Sequence, residues 1–175
     1  MTTKTLPQIM IMMPKGWESF LIVFSRLECT LKAFNEFRRP RDVADSRSVL
    51  PDWGAFGKFL GDEFFADVKS QRLAPTLIQQ PPWHQEIVSG NVIWAKSDKV
   101  ESVSKLFDAI TTARNNLAHG GKFNAPMSMI GLPPDFANNM DVRDAKLLRE
   151  AKAVLLHALE LPKCKDIRCR FYTFD

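Results

Sequence analysis

The residues best suited to chemistry lie in the segment ARNNLAHGGKF, from Ala113 to Phe123. On a helix, successive positions turn by about 100°, so Arg114 falls inside the apolar stripe between Ile110 and Leu117, where a guanidinium needs a partner. Asn115 and His119 stand four apart and share a helix face with Asp108 and Thr112. A fixed cation beside an imidazole and two amides suits an anion such as a phosphate. The imidazole titrates near neutrality and can move a proton, while the guanidinium holds negative charge. Gly120 and Gly121 follow, residues suited to the left-handed conformation that ends a helix.

The surrounding chain reads as four helical segments. Trp17, Phe20, Leu21, Phe24, Leu27, Leu31 and Phe34 repeat at helical spacing after Gly16, and Pro40 places the helix end near Arg38 and Arg39. Asp52 caps a second helix carrying Trp53, Phe56, Leu60 and Phe64, which Gly54, Gly57 and Gly61 weaken. From Ala74 to Ala95, Pro75, Pro81, Pro82 and Gly90 read as a long connection with room for a short strand. Asp98 and Glu101 have capping-box spacing ahead of the stripe Val100, Val103, Leu106, Phe107, Ile110, Ala113 and Leu117. The last helix starts at Asp141 and carries Leu147, Leu148, Ala151, Val154, Leu155, Ala158 and Leu159 until Pro162 stops it. No alternation is sustained enough to indicate a sheet. The expectation is an all-α, up-and-down bundle of four to five helices, one domain over 1–175 with a basic C-terminal tail over 162–175.

The stretch RNNLAHGGK resembles the R-x4-6-H signature of HEPN domains, small helical bundles common in prokaryotic toxin and defence systems and in some eukaryotic ribonucleases. Four residues separate Arg114 from His119, and the polar Asn115 follows the arginine as that family prefers. The resemblance implies a metal-independent endoribonuclease that leaves a 2′,3′-cyclic phosphate. It also implies a homodimer with two motifs lining one cleft, and an antitoxin or regulatory protein as a possible partner. Carried over, His119 is the general acid or base, Arg114 the phosphate clamp and Asn115 the residue that orients them. One departure is Gly121, where many family toxins have a tyrosine two residues after the histidine. Members that have lost catalysis bind nucleotide, RNA or protein, which is the alternative function. A third alternative, a purely structural bundle, requires a carboxylate of the same chain to cap Arg114.

The remaining residues bound the answer. Of 175 residues, 45% are hydrophobic and 25% charged, as in an ordinary globular chain, with a net charge of +4. That charge concentrates at two places. Lys163, Lys165, Arg168 and Arg170 face one acid, Asp166, within 163–170, and Arg38, Arg39, Arg41 and Arg47 oppose Asp42 and Asp45 in the first loop. Either patch alone reads as a solvated surface. If they flank the motif, Arg38, Arg39, Lys163, Lys165, Arg168 and Arg170 would follow an RNA backbone, together with Asn116 and Lys122 beside the motif. His84 and His157 read as structural, since neither has a Cys or acidic neighbour at metal spacing. Cys164 and Cys169 have no second pair to complete a knuckle, and the three cysteines read as reduced thiols of a cytoplasmic protein. No membrane segment, metal or cofactor is expected.

Overall fold

The computed structural model describes residues 15–40, 48–118 and 135–173. Gly16, at φ 90°, opens helix α1 (Trp17–Lys32), which buries Phe20, Phe24, Leu27 and Leu31 along one face. The helix ends well before Pro40. Phe34 turns extended and a 3-10 turn at Asn35–Phe37 carries Phe37 into the core against Phe56, the rings 5.6 Å apart. The next residues form a strand, β1 (Arg38–Pro40), antiparallel to β2 (Val49–Pro51) in the register Arg39↔Leu50.

Asp52 caps the following helix, α2 (Trp53–Ser70), its carboxylate accepting from the Ala55 amide at 2.8 Å. Gly61 interrupts α2 at φ 75°, ψ 172°, a conformation open almost only to glycine. Both halves of α2 contribute to the core, through Phe56 and Leu60 before the kink and Phe64 and Val68 after it.

The expected long connection is ordered. A short helix, α3 (Pro75–Gln79), leads to β3 (His84–Val88) and β4 (Asn91–Ala95), which pair as an antiparallel hairpin. Its two-residue turn is Ser89 and Gly90, both at positive φ (50° and 80°), the geometry that matches hairpin twist. The fold is therefore mostly helical, in keeping with the expected helical class, and adds two small antiparallel sheets that the expectation of helices alone did not include. The β-branched residues on both sides of Ser89–Gly90 are the strand signal, and Gly90 is the turn rather than a breaker of regular structure.

Helix α4 (Val103–Ala118) packs along α2, stacking Phe107 on Trp53 (5.8 Å) and edge-on to Phe56 (5.4 Å). Removing a buried ring such as Phe107 by truncation to alanine costs about 3–5 kcal/mol. The expected capping box is not used. The Val100 amide donates to Ile78 O at 2.9 Å, which holds that stretch against α3, and the Ser102 hydroxyl caps the helix by accepting from the Lys105 amide. The longest helix, α5 (Asp135–Glu160), begins six residues before the expected Asp141 and lies along α1. Two of its side chains clip α3 at both ends. Glu150 accepts from the Leu77 amide at 2.8 Å, and Arg143 Nη2 donates to Gln80 O and Pro81 O at 2.9 and 2.8 Å. Negative charge at the start and positive charge at the end of a short helix both oppose its dipole.

After a 3-10 turn at Pro162–Cys164, residues 165–172 form a final helix, α6 (Lys165–Tyr172), rather than a solvated tail. Cys164, Ile167 and Phe171 enter the core, and Arg26 of α1 donates to the last-turn carbonyl of Phe171 at 2.7 Å.

Candidate functional site

Arg114 lies in the last turns of α4, on the side facing α1, and its guanidinium is compensated from three directions. Nη2 donates to Glu28 Oε2 at 3.2 Å, Nη1 donates to Asn115 Oδ1 at 3.0 Å, and the group sits 5.3 Å from the Phe24 ring centroid. Glu28 is the partner that an arginine in an apolar stripe requires, and it also pairs with Lys32 one turn on, at 3.1 Å. The Arg114 side chain nevertheless keeps 30% of its surface exposed. Its remaining N–H groups can meet a ligand from solvent.

The neighbouring amides divide. Asn115 is exposed and engaged by Arg114, whereas Asn116 is half-buried and donates to Trp83 O at 2.7 Å, anchoring the start of the hairpin to α4. His119 and Lys122 lie outside the described residues, as do Arg41, Arg47, Gly120 and Gly121.

The basic residues separate in the same way. Lys163 donates to Phe59 O (3.0 Å) and Leu60 O (2.9 Å), carbonyls that the Gly61 kink releases from the helical ladder. Arg168 pairs with Glu160 at 3.1 Å. Lys165 and Arg170 are exposed on α6, and Arg38 and Arg39 are exposed on β1. Arg26, which anchors α6, and Glu28, which holds Arg114, stand two residues apart on α1 and point about 200° from each other. Helix α6 thus docks on the flank of α1 opposite Arg114.

Two groupings escape a sequence reading. His157 Nε2 meets Asp67 Oδ2 at 2.6 Å, with its ring 5.8 Å from that of Phe64. The hydrogen bond from Gln71, then that from His157, holds the Asp67 carboxyl below the usual carboxylate range. The second is at the base of the hairpin. His84 is in β3, not in a loop, and bonds Glu86 Oε1 through Nε2 (2.7 Å) and Ser97 Oγ through Nδ1 (2.9 Å). Once β3 is known to be a strand, His84 and Glu86 at i and i+2 necessarily share a face. Ser97 arrives only by hairpin pairing. Among the described residues no three His, Cys, Asp or Glu side chains gather as for a metal, and no helix is long and apolar enough to cross a membrane.

In comparisons with known proteins, no family model, no curated protein and no solved structure matches the chain.

Proposed function

We propose that the chain is a HEPN-like, metal-independent endoribonuclease of a toxin or defence system, acting as a homodimer in the cytoplasm. The observation that supports this reading is Arg114, held by Glu28 and Asn115 yet open to solvent on the helix that leads to His119. A pre-oriented guanidinium can bind a phosphate without reorganising. In the reaction, His119 takes the proton of a ribose 2′-hydroxyl, whose oxygen attacks the adjacent phosphorus. The 5′-oxygen leaves with a proton and a 2′,3′-cyclic phosphate remains. Residues five apart diverge by about 140° on one helix, which is why a two-fold axis bringing motif against motif belongs to the proposal.

The Glu28 carboxylate favours a second reading. It neutralises Arg114, as the purely structural bundle requires, and a non-catalytic module binding nucleotide, RNA or a protein partner tolerates the same pairing. An RNA-cleavage assay on the purified chain separates these readings. Cleavage that persists in EDTA, and that Arg114→Ala and His119→Ala each abolish with helical circular dichroism intact, is the expected result. RNA bound but recovered whole favours the module, and full activity in both variants overturns the assignment.

A further inference from the structure

A cleft of about 810 Å³ separates the base of the hairpin from the polar face of α4, and His84, Glu86 and Ser97 all line it. It lies apart from Arg114, which is turned toward α1. The three side chains form a continuous chain of hydrogen bonds. Glu86 Oε1 lies 2.7 Å from His84 Nε2, and His84 Nδ1 lies 2.9 Å from Ser97 Oγ. A carboxylate can only accept, so it selects the tautomer with the proton on Nε2. The Nδ1 lone pair then faces the serine hydroxyl. This is the arrangement by which an acid orients an imidazole and the imidazole activates a hydroxyl, with the two ring nitrogens exchanged relative to the usual triad. The Ser97 hydroxyl donates to Pro82 O at 2.7 Å, and it activates by giving up that bond and rotating about Cβ–Oγ so that its one proton is donated to Nδ1 instead, with no heavy atom moving.

We propose that Ser97, His84 and Glu86 form a nucleophilic serine site that accepts small, uncharged carboxylic esters. The choice of substrate follows from the charge around the cleft, where Lys96, Lys99 and Lys105 are interspersed with Glu86, Asp98, Glu101 and Asp108, a lining that is slightly acidic and so disfavours an anionic substrate. In the reaction, Ser97 Oγ bonds to the carbonyl carbon while its proton passes to His84 Nδ1. The ester C–O bond then breaks, and the departing alkoxide takes that proton as the free alcohol. Water next attacks the acyl-serine, gives a proton to Nδ1 and releases the carboxylic acid as Oγ recovers the proton. No redox partner or co-reactant other than water is needed.

The test uses a fluorophosphonate probe on the full chain, read by intact mass and peptide mapping. Its phosphorus bonds to an activated serine Oγ as fluoride leaves with the serine proton. A single adduct on Ser97 is expected, absent in Ser97→Ala. His84→Ala should slow labelling at least ~100-fold, within the usual range for removing a general base. Glu86→Gln, which keeps side-chain length and disturbs the hairpin least, should also slow it strongly through the lost tautomer control, by up to about 10⁴-fold as in a serine triad. An unmodified Ser97, an adduct elsewhere only, or labelling of a folded Glu86→Gln and His84→Ala at the wild-type rate overturns the proposal. Should His84→Ala unfold, Glu86→Gln decides the matter alone. Release of p-nitrophenol from p-nitrophenyl acetate gives the parallel turnover readout, expected in the wild type and lost in Ser97→Ala.

Discussion

Glu28 and Arg114 stand 86 residues apart in the chain and meet at 3.2 Å, joining the first helix to the one that carries the Arg–Asn motif. Their side chains are 17% and 30% exposed, so water screens the pair and its stabilisation belongs to the modest class. A double-mutant cycle with Glu28→Gln and Arg114→Met should give a coupling of roughly 0.5–1 kcal/mol in urea unfolding, shrinking as salt is added. Zero coupling at low salt would show that the pair does not persist in solution. Under the ribonuclease reading, Glu28→Gln should also change RNA affinity, because it removes the charge that neutralises Arg114, an effect a structural bundle does not produce.

Gly61 and Lys163 work as a unit. The glycine leaves the helical ladder at φ 75°, and the lysine ammonium meets the carbonyls of Phe59 and Leu60 that the kink sets free. Open space surrounds the position where a Cβ would project, so the cost of a side chain there is conformational and not steric. Gly61→Ala should destabilise the chain by roughly 1–3 kcal/mol, the scale of holding a non-glycine residue in this region. Lys163→Met should cost less, since water can reach part of those carbonyls. A Gly61→Ala variant as stable as wild type would mean that α2 runs straight in solution.

These pairings show what the sequence could and could not convey. The apolar stripes of α1, α4 and α5 were legible because burial imposes a helical period on the residues themselves, and Phe20, Phe24, Leu106, Ile110, Val154 and Leu155 are all in the core. Helix ends were less legible. The Asp98–Glu101 capping box is overridden by a bond from Val100 to Ile78, and Asp141 falls inside a helix that starts at Asp135. The demand of Arg114 for a partner was readable, but the identity of that partner was not, because Glu28 looks like any surface acid on an amphipathic helix. Ser97 and His84 were likewise invisible as a pair until hairpin register brought strand ends together.

Asp67 offers a titration test. Its carboxyl accepts from Gln71 Nε2 at 2.9 Å and meets His157 Nε2 at 2.6 Å, contacts that favour the charged form and lower its pKa. A carboxyl depressed in the fold contributes stability that is present above its unfolded value near ~3.9 and disappears as the pH falls through the lower folded value. Side-chain NMR should therefore place the Asp67 midpoint below that of a free aspartate. Gln71→Ala should raise it, and so should His157→Phe, which keeps an aromatic ring beside Phe64 but removes both a hydrogen bond and a charge. An unmoved midpoint in both variants would refute the assignment of cause.

The three cysteines should differ sharply in reactivity. Cys29 and Cys169 are exposed, whereas Cys164 is buried at the junction of α5 and α6, and that burial pushes its thiol up to about 11 despite Lys163 and Arg168 nearby. Only the thiolate attacks a disulfide reagent, and at pH 8 a group with that pKa is ionised in about one molecule in a thousand. Ellman's reagent should thus titrate two thiols quickly in the folded chain and the third only as the C-terminal helix detaches. In urea, the rate of the third reaction should rise with the fraction of chains in which α6 is open, so it reports the docking of Phe171 and Ile167 against the core. Cys164→Ser places a hydroxyl in that same buried position and should lower the urea midpoint, whereas Cys29→Ser and Cys169→Ser should leave it unchanged. Three equally fast thiols in the native chain would show that residues 162–172 are not packed as a helix in solution.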